Sequence, residues 1–214
     1  MPDQAIHFTE DEIIERLAAL QVKPSDPPYP EFPYPSDLLP DAPRPAAVLI
    51  PMQRMGDDWH ILFTRRNDAL AEHSGQVAFP GGRSDPEDVD PETTALREAW
   101  EEIGLKPADV RILGRLNDFI TVTNYRVTPV VGVIPWPYTF RLAQDEVSRV
   151  FTIPLEWLAD PENREERLRI LPSPYPPVSV IYFLPFGGEV LWGASARFTL
   201  TLLQALNLNI THSD

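Results

Sequence analysis

The sequence predicts a mixed α/β domain, a sheet held between helices, with a helix and an extended arm added at its N-terminus. Three observations predict it. Short runs rich in β-branched and aromatic residues recur along the chain, separated by turns of Gly, Asp and Pro. One internal segment, residues 91–103, carries helix signals at both ends. Two amphipathic segments, 8–20 and 194–208, lie toward the two termini. A chain of 214 residues fits one domain with embellishments and can bury a sizeable core.

In order, Thr9 followed by Glu12 forms a capping box for the first helix, whose apolar side is Ile13, Ile14, Leu17 and Leu20. That helix packs on the domain or on a partner subunit, and no chemistry is visible in it. Residues 22–45 are proline-rich, which excludes a helix and points to an extended arm. Its aromatics, Tyr29, Phe32 and Tyr34, fit a clamp onto the domain better than a partner site. The expected division is therefore 1–45, helix and arm, and 46–214, the domain proper.

Segments 46–52 and 59–65 read as strands joined by Gly56-Asp57-Asp58. Residues 75–79 feed the pair Gly81-Gly82. Residues 110–123 and 127–136 read as two long strands, and 146–153 as another, with a helical turn at 154–158. A hairpin of 178–184 and 190–192 is expected around Gly187-Gly188, before the closing helix. There are no internal repeats.

The segment 91–103 holds the chemistry. Asp90 suits the N-cap, Pro91 the first helical position and Gly104 the C-terminal stop. At about 100° per residue, Glu98, Glu101 and Glu102 share an arc about 100° wide. Leu96, Ala99, Trp100 and Ile103 fall on the other side, as a core stripe. Like charges at i,i+4 destabilise a helix, so Glu98 and Glu102 call for an offsetting partner. A hard divalent cation with oxygen ligands is one such partner; a solvated acidic face is the alternative.

Gly82, the loop after it, Arg97-Glu98, Glu101-Glu102 and Gly104-Leu105 resemble the Nudix box, the signature of Nudix hydrolases. The loop is one residue longer than usual, and Glu87 or Asp88 stands nearest the expected loop Glu. Upstream, Thr64, Arg66, Gly75, Phe79, Pro80, Gly81 and Gly82 are similar to the motif of coenzyme A pyrophosphatases, with Asn67 in place of Ser and Ala71 in place of a second Arg. The two motifs cover residues 62–105.

The resemblance implies a Nudix-type α/β/α sandwich and a hydrolase dependent on Mg2+ or Mn2+. It implies Glu98 and Glu102 as direct metal ligands, Glu101 as a third or water-mediated one, and Arg97 as the group that orients the glutamates. A surface pair of Arg97 with Glu101 is the plainer reading of that arginine. Either Glu98 or Glu146 is the base. Arg66, with Arg65, Thr64 and Arg83, would hold substrate, arginine being suited to bidentate phosphate contacts. Arg83 or Arg126 would replace the arginine missing at Ala71. Gly81 and Gly82 would let backbone approach the metal or phosphate. His73 is more simply structural, and Asn124-Tyr125 is a candidate for the pocket mouth. The implied substrate is coenzyme A or a derivative, cleaved at its diphosphate. ADP-ribose or another nucleoside diphosphate derivative, and a non-catalytic nucleotide-binding module, are the alternatives.

Composition bounds the partners. A formal net charge of −14 argues against nonspecific nucleic acid binding. No run of about 18 apolar residues suggests a membrane span. Absent cysteine excludes disulfides and thiolate metal sites. With neither a basic patch nor an apolar signal core at the start, a cytoplasmic protein is expected. A homodimer through the N-terminal segment is conceivable, but no residue points to it.

Overall fold

The computed structural model describes residues 6–20, 42–69, 74–121, 123–170 and 177–208. Tyr29, Phe32, Tyr34, Ala71 and His73 lie outside them, as does most of the proline-rich arm.

The central strand is β1 (Arg44–Met55), buried along most of its length, as a strand covered on both faces must be. It runs antiparallel to β2 (Asp58–Arg66) across the Gly56-Asp57 turn. On its other side it is parallel to β7 (Tyr125–Val133), so the sheet is mixed. The short strands β3 (Val77–Ala78) and β4 (Gly81–Arg83) pair with β2 and β1. Strands β5 (Arg111–Arg115) and β6 (Phe119–Ile120) pair with β7, and β8 (Val147–Pro154) pairs with β2.

Alternation along β1 and β2 divides the core. Ala47, Leu49 and Leu62 meet Ala95, Ala99 and Ile103 of α2 (Pro91–Ile103). Ile50, Met52, Ile61 and Phe63 face the other layer, which contains α1 (Glu10–Leu20), α3 (Leu155–Ala159) and α4 (Gly193–Ala205). This is the expected α/β/α sandwich. Helix α1 packs on its own domain: Ile13 and Leu17 are buried, and the indole of Trp59 donates to Phe8 O at 2.9 Å.

Two expectations need correction and a third needs extending. The single strand at 110–123 is two, β5 and β6. The break at 116–118 lies opposite Pro129, which has no N–H to give the ladder. The hairpin around Gly187-Gly188 forms as expected, with Tyr182 bridged to Trp192, Phe186 bridged to Glu189 and both glycines at positive φ. However, the main partner of β10 (Val178–Phe183) is β9 (Arg164–Arg169), a strand the sequence did not suggest. Its exposed, charged run has no apolar alternation to betray it. Finally, Trp100 is 46% exposed and lies outside the core stripe; Thr94 and Ala95 complete that stripe instead.

Candidate active site

The site is assembled where β4, α2 and the segment before β8 converge on the end of β2. Helix α2 begins where expected: Asp90 is its N-cap, accepting from Thr93 N at 2.8 Å, and Pro91 opens the first turn. It stops at Gly104, whose φ of 68° is the left-handed region that favours glycine. The same glycine admits a neighbour, since a Cβ there would lie 2.7 Å from Arg141 Cβ.

The three glutamates share one arc but differ in depth. Glu102 is buried, at 5% exposure, and accepts a backbone hydrogen bond from Gly81. Burial first, and the charge of Glu98 second, push its carboxyl up to about 8; Arg66 acts in the opposite sense. Glu98 is partly buried, and that burial raises its pKa against the pull of Arg97. Glu101 is 54% exposed and turned to Arg97, whose Nη1 donates to it at 3.1 Å. Glu146 is exposed just before β8, and its charge is felt by both Glu98 and Glu102.

Arg97 is the organiser of the loop. Its Nη1 also donates to Glu98 Oε1 at 2.9 Å, and its Nη2 to Arg83 O at 3.0 Å and to Asp88 Oδ2 at 2.9 Å. Asp88 receives Thr94 Oγ1 at 3.0 Å and Asp85 N at 2.9 Å as well. The guanidinium holds the Asp88 carboxyl down at about 2, and Asp88 in turn raises Arg97 further above its ordinary value. Asp88, not Glu87, is thus the loop acid that matters. The surface-pair reading of Arg97 is too small, because its strongest partner is the nearly buried Asp88.

The glycine pair fits against these groups. A Cβ on Gly82 would fall 2.6 Å from the Glu98 carboxyl carbon, and one on Gly81 would fall 2.4 Å from Ala47 O. The other expected residues separate. Arg66 lies on the α2 side, near enough to Glu102 to lower its pKa, and its Nε is buried with no hydrogen-bond partner. Arg65 faces the opposite layer, where it pairs with Asp68 at 2.7 Å and Glu189 at 3.4 Å. Thr64 is buried, and its hydroxyl is committed to Ala78 O at 3.1 Å, where it braces β3. Arg83 is exposed, and its carbonyl serves Arg97. Arg126 pairs with Asp118 at 3.7 Å. Asn124 takes φ 62° in the tight turn ahead of β7, where Arg44 lies over the ring of Tyr125. A cavity of about 560 Å³ lies on the Arg65 side, lined by Arg149, Glu189 and Trp192 among others. None of Glu98, Glu102 and Glu146 lines it, and its two arginines are matched by Asp68 and Glu189.

Among the described residues, no three of His, Cys, Asp or Glu converge closely enough to enclose an ion by themselves. Magnesium does not require that: one or two carboxylates, with waters and substrate phosphates, complete its octahedron. The donor set fits such an ion. Glu98 and Glu102 are hard oxygen donors drawn out of water, and the charge of Glu98 raises the Glu102 carboxyl further.

The sequence as a whole agrees with this geometry. The NUDIX domain profile matches residues 42–173, well over half of the chain, and the chain belongs to the Nudix family. Nudix hydrolases generally use divalent ions such as Mg2+ or Mn2+. The curated relatives include an uncharacterized Nudix hydrolase, NudL, from Escherichia coli K12. It is 48% identical over 112 residues, which cover 52% of this chain and 58% of that protein. NudL of Shigella boydii serotype 18 matches with the same identity and coverage. The chain therefore spans a little over half the length of these relatives. Among solved structures, a MutT/nudix family protein from Enterococcus faecalis shares the fold, with a TM-score of 0.53 at 15% identity, over 83% of this chain and 64% of that one. Among the described residues, no helix is long and apolar enough to cross a membrane.

Proposed function

We propose that the chain is a metal-dependent hydrolase that cleaves the diphosphate of coenzyme A or a derivative, giving 3′,5′-adenosine diphosphate and 4′-phosphopantetheine. The observation that carries the chemistry is the buried Glu102 beside Glu98, two carboxylates set in a place that only a proton or a cation makes tolerable. A bound Mg2+ or Mn2+ would be held by Glu98 and Glu102, and would offset the charge that develops on the phosphates. The chain's own residues do the rest. Arg97 holds Glu98 in place through Nη1 while Asp88 fixes the far end of the guanidinium. Arg66 would grip a phosphate oxygen, a role supported by its position beside Glu102 and by a buried Nε with no hydrogen-bond partner. Glu146 or Glu98 takes a proton from the attacking water. The water oxygen bonds to one phosphorus, the bridging P–O bond breaks, and the other phosphate leaves with that bond's electrons.

The coenzyme A assignment rests on the similarity of residues 64–82 to the subgroup motif. A second reading keeps the chemistry and takes ADP-ribose or a related nucleoside diphosphate derivative. Asn67 and Ala71, the two departures from the subgroup motif, support it. Turnover of coenzyme A, acetyl-coenzyme A, ADP-ribose and NADH at equal Mg2+ separates the two. A kcat/KM for coenzyme A at least tenfold above the others is expected; a preference for ADP-ribose would move the assignment to the second reading.

A further inference from the structure

We infer that Asn67 is the positioning residue that fixes Glu146 against the Glu98–Glu102 pair, an inference that rests on the proposed use of those carboxylates. Asn67 is the first residue beyond β2, directly after Arg66. Its backbone N–H donates to Glu146 O at 2.8 Å, and its side-chain Nδ2 donates to Gln144 O at 2.5 Å. Its Oδ1 accepts from Ala69 N at 2.9 Å, so the carboxamide is used at both ends. One planar group thus closes a turn on its own strand and holds the segment that carries Glu146.

That segment is anchored on the other side by α2. Arg141 N donates to Ile103 O at 2.9 Å, and Ala143 N donates to Glu102 O at 2.8 Å. The loop is strung between the strand of Arg66 and the helix of Glu102. A bulge sets its final approach: Arg65 pairs with Arg149, but Arg66 pairs with Val147, and Ser148 is left over. The spare Ser148 hydroxyl donates to Arg65 O at 3.0 Å. A bulge re-aims the residues beside it, and here Glu146 is brought level with Asn67. The charge of Glu146 then bears on Glu98 and Glu102 both.

Asn67→Asp isolates the tie. The carboxylate still accepts from Ala69 N, but it has no donor for Gln144 O and sets two acceptors against each other. The test compares wild type, Asn67→Asp, Glu146→Gln and the double variant. It reads kcat and KM on coenzyme A with Mg2+, Mn2+ affinity by electron paramagnetic resonance, and amide hydrogen exchange. Expected for Asn67→Asp is a kcat about tenfold lower, since small misplacements of a catalytic group are costly. KM and Mn2+ affinity stay within about twofold, and the Glu146 and Val147 amides exchange faster while those of α2 do not. In the Glu146→Gln background the same change costs nothing further, because the two act as one unit. Equal losses in both backgrounds, or full kcat in Asn67→Asp, would overturn the inference. Full activity in Glu146→Gln would overturn it too, while sparing the carboxylate pair. If no diphosphate is cleaved by wild type, the functional reading fails on its own, and the exchange of residues 146 and 147 still decides whether Asn67 holds the loop.

Discussion

Arg97 and Asp88 show how much of this site depends on pairs of side chains. Asp88 is nearly buried and accepts from Arg97, Thr94 and the Asp85 amide. Replacing it by Asn leaves Arg97 without its main anchor. Asp88→Asn is expected to cost about 1.5–3 kcal/mol, the range for a hydrogen bond to a charged group, and to lower kcat more than it raises KM. The carboxyl at about 2 lies below its unfolded value of 3.8, so its stabilisation is present above pH 3.8 and is lost as pH falls through about 2. Glu102 has the opposite sign. Its carboxyl is raised from 4.5 to about 8, so its stabilisation is complete below pH 4.5 and declines as pH rises toward 8. Metal-free protein should therefore lose thermal stability as pH rises between those values, read as a falling melting temperature. Mg2+ should restore it by taking the proton's place. Calorimetry at pH 7 in buffers of different ionisation enthalpy should show about one proton released per ion bound; none released would contradict a Glu102 ligand.

The strand β4 and the helix α2 meet at the glycine pair, and the two glycines answer to different neighbours. A methyl group on Gly81 runs into the β1 backbone, which cannot yield. Gly81→Ala should lower the melting temperature sharply, and activity with it, because the same backbone donates to Glu102. A methyl group on Gly82 meets first the far end of the flexible Glu98 side chain. Gly82→Ala should fold, with kcat reduced at least tenfold and Mn2+ affinity weakened; a variant with normal Mn2+ affinity would argue that Glu98 is not a ligand. The helix itself was legible because its signals are local: Asp90, Pro91 and Gly104 act on their own neighbours. The shared arc of the glutamates follows from helical geometry alone. Their depths do not, because the burial of Glu102 depends on packing from outside its own helix, where Gly81 of β4 donates to its carboxylate. For the same reason Glu146 could be marked as a candidate, but its tie through Asn67 could not. The break between β5 and β6 depends on Pro129 in another strand, and β9 has only charged and exposed residues to announce it.

Across the domain, the two helical layers have different tasks. The α2 layer carries the residues of the proposed chemistry, and the α1, α3 and α4 layer closes the larger core on the opposite face. Leu17 of α1 is fully buried against Gly114 of β5, where an added Cβ would lie 3.2 Å from its own. Leu17→Ala should cost about 2–5 kcal/mol of stability, measured by urea unfolding, with kcat and KM unchanged well below the melting temperature. A change in KM would mean that the two layers are coupled. The net charge of −14 would repel a diphosphate substrate, and the proposed cation on the α2 face would turn the local field. The account stands or falls on that ion. The most direct measurement is hydrolysis of coenzyme A by wild type and Glu102→Gln, with Mg2+ and after its removal by chelation. The account predicts cleavage to 3′,5′-adenosine diphosphate and 4′-phosphopantetheine only with the ion, reduced about 100-fold or more in Glu102→Gln. Cleavage that survives both chelation and the substitution would contradict it.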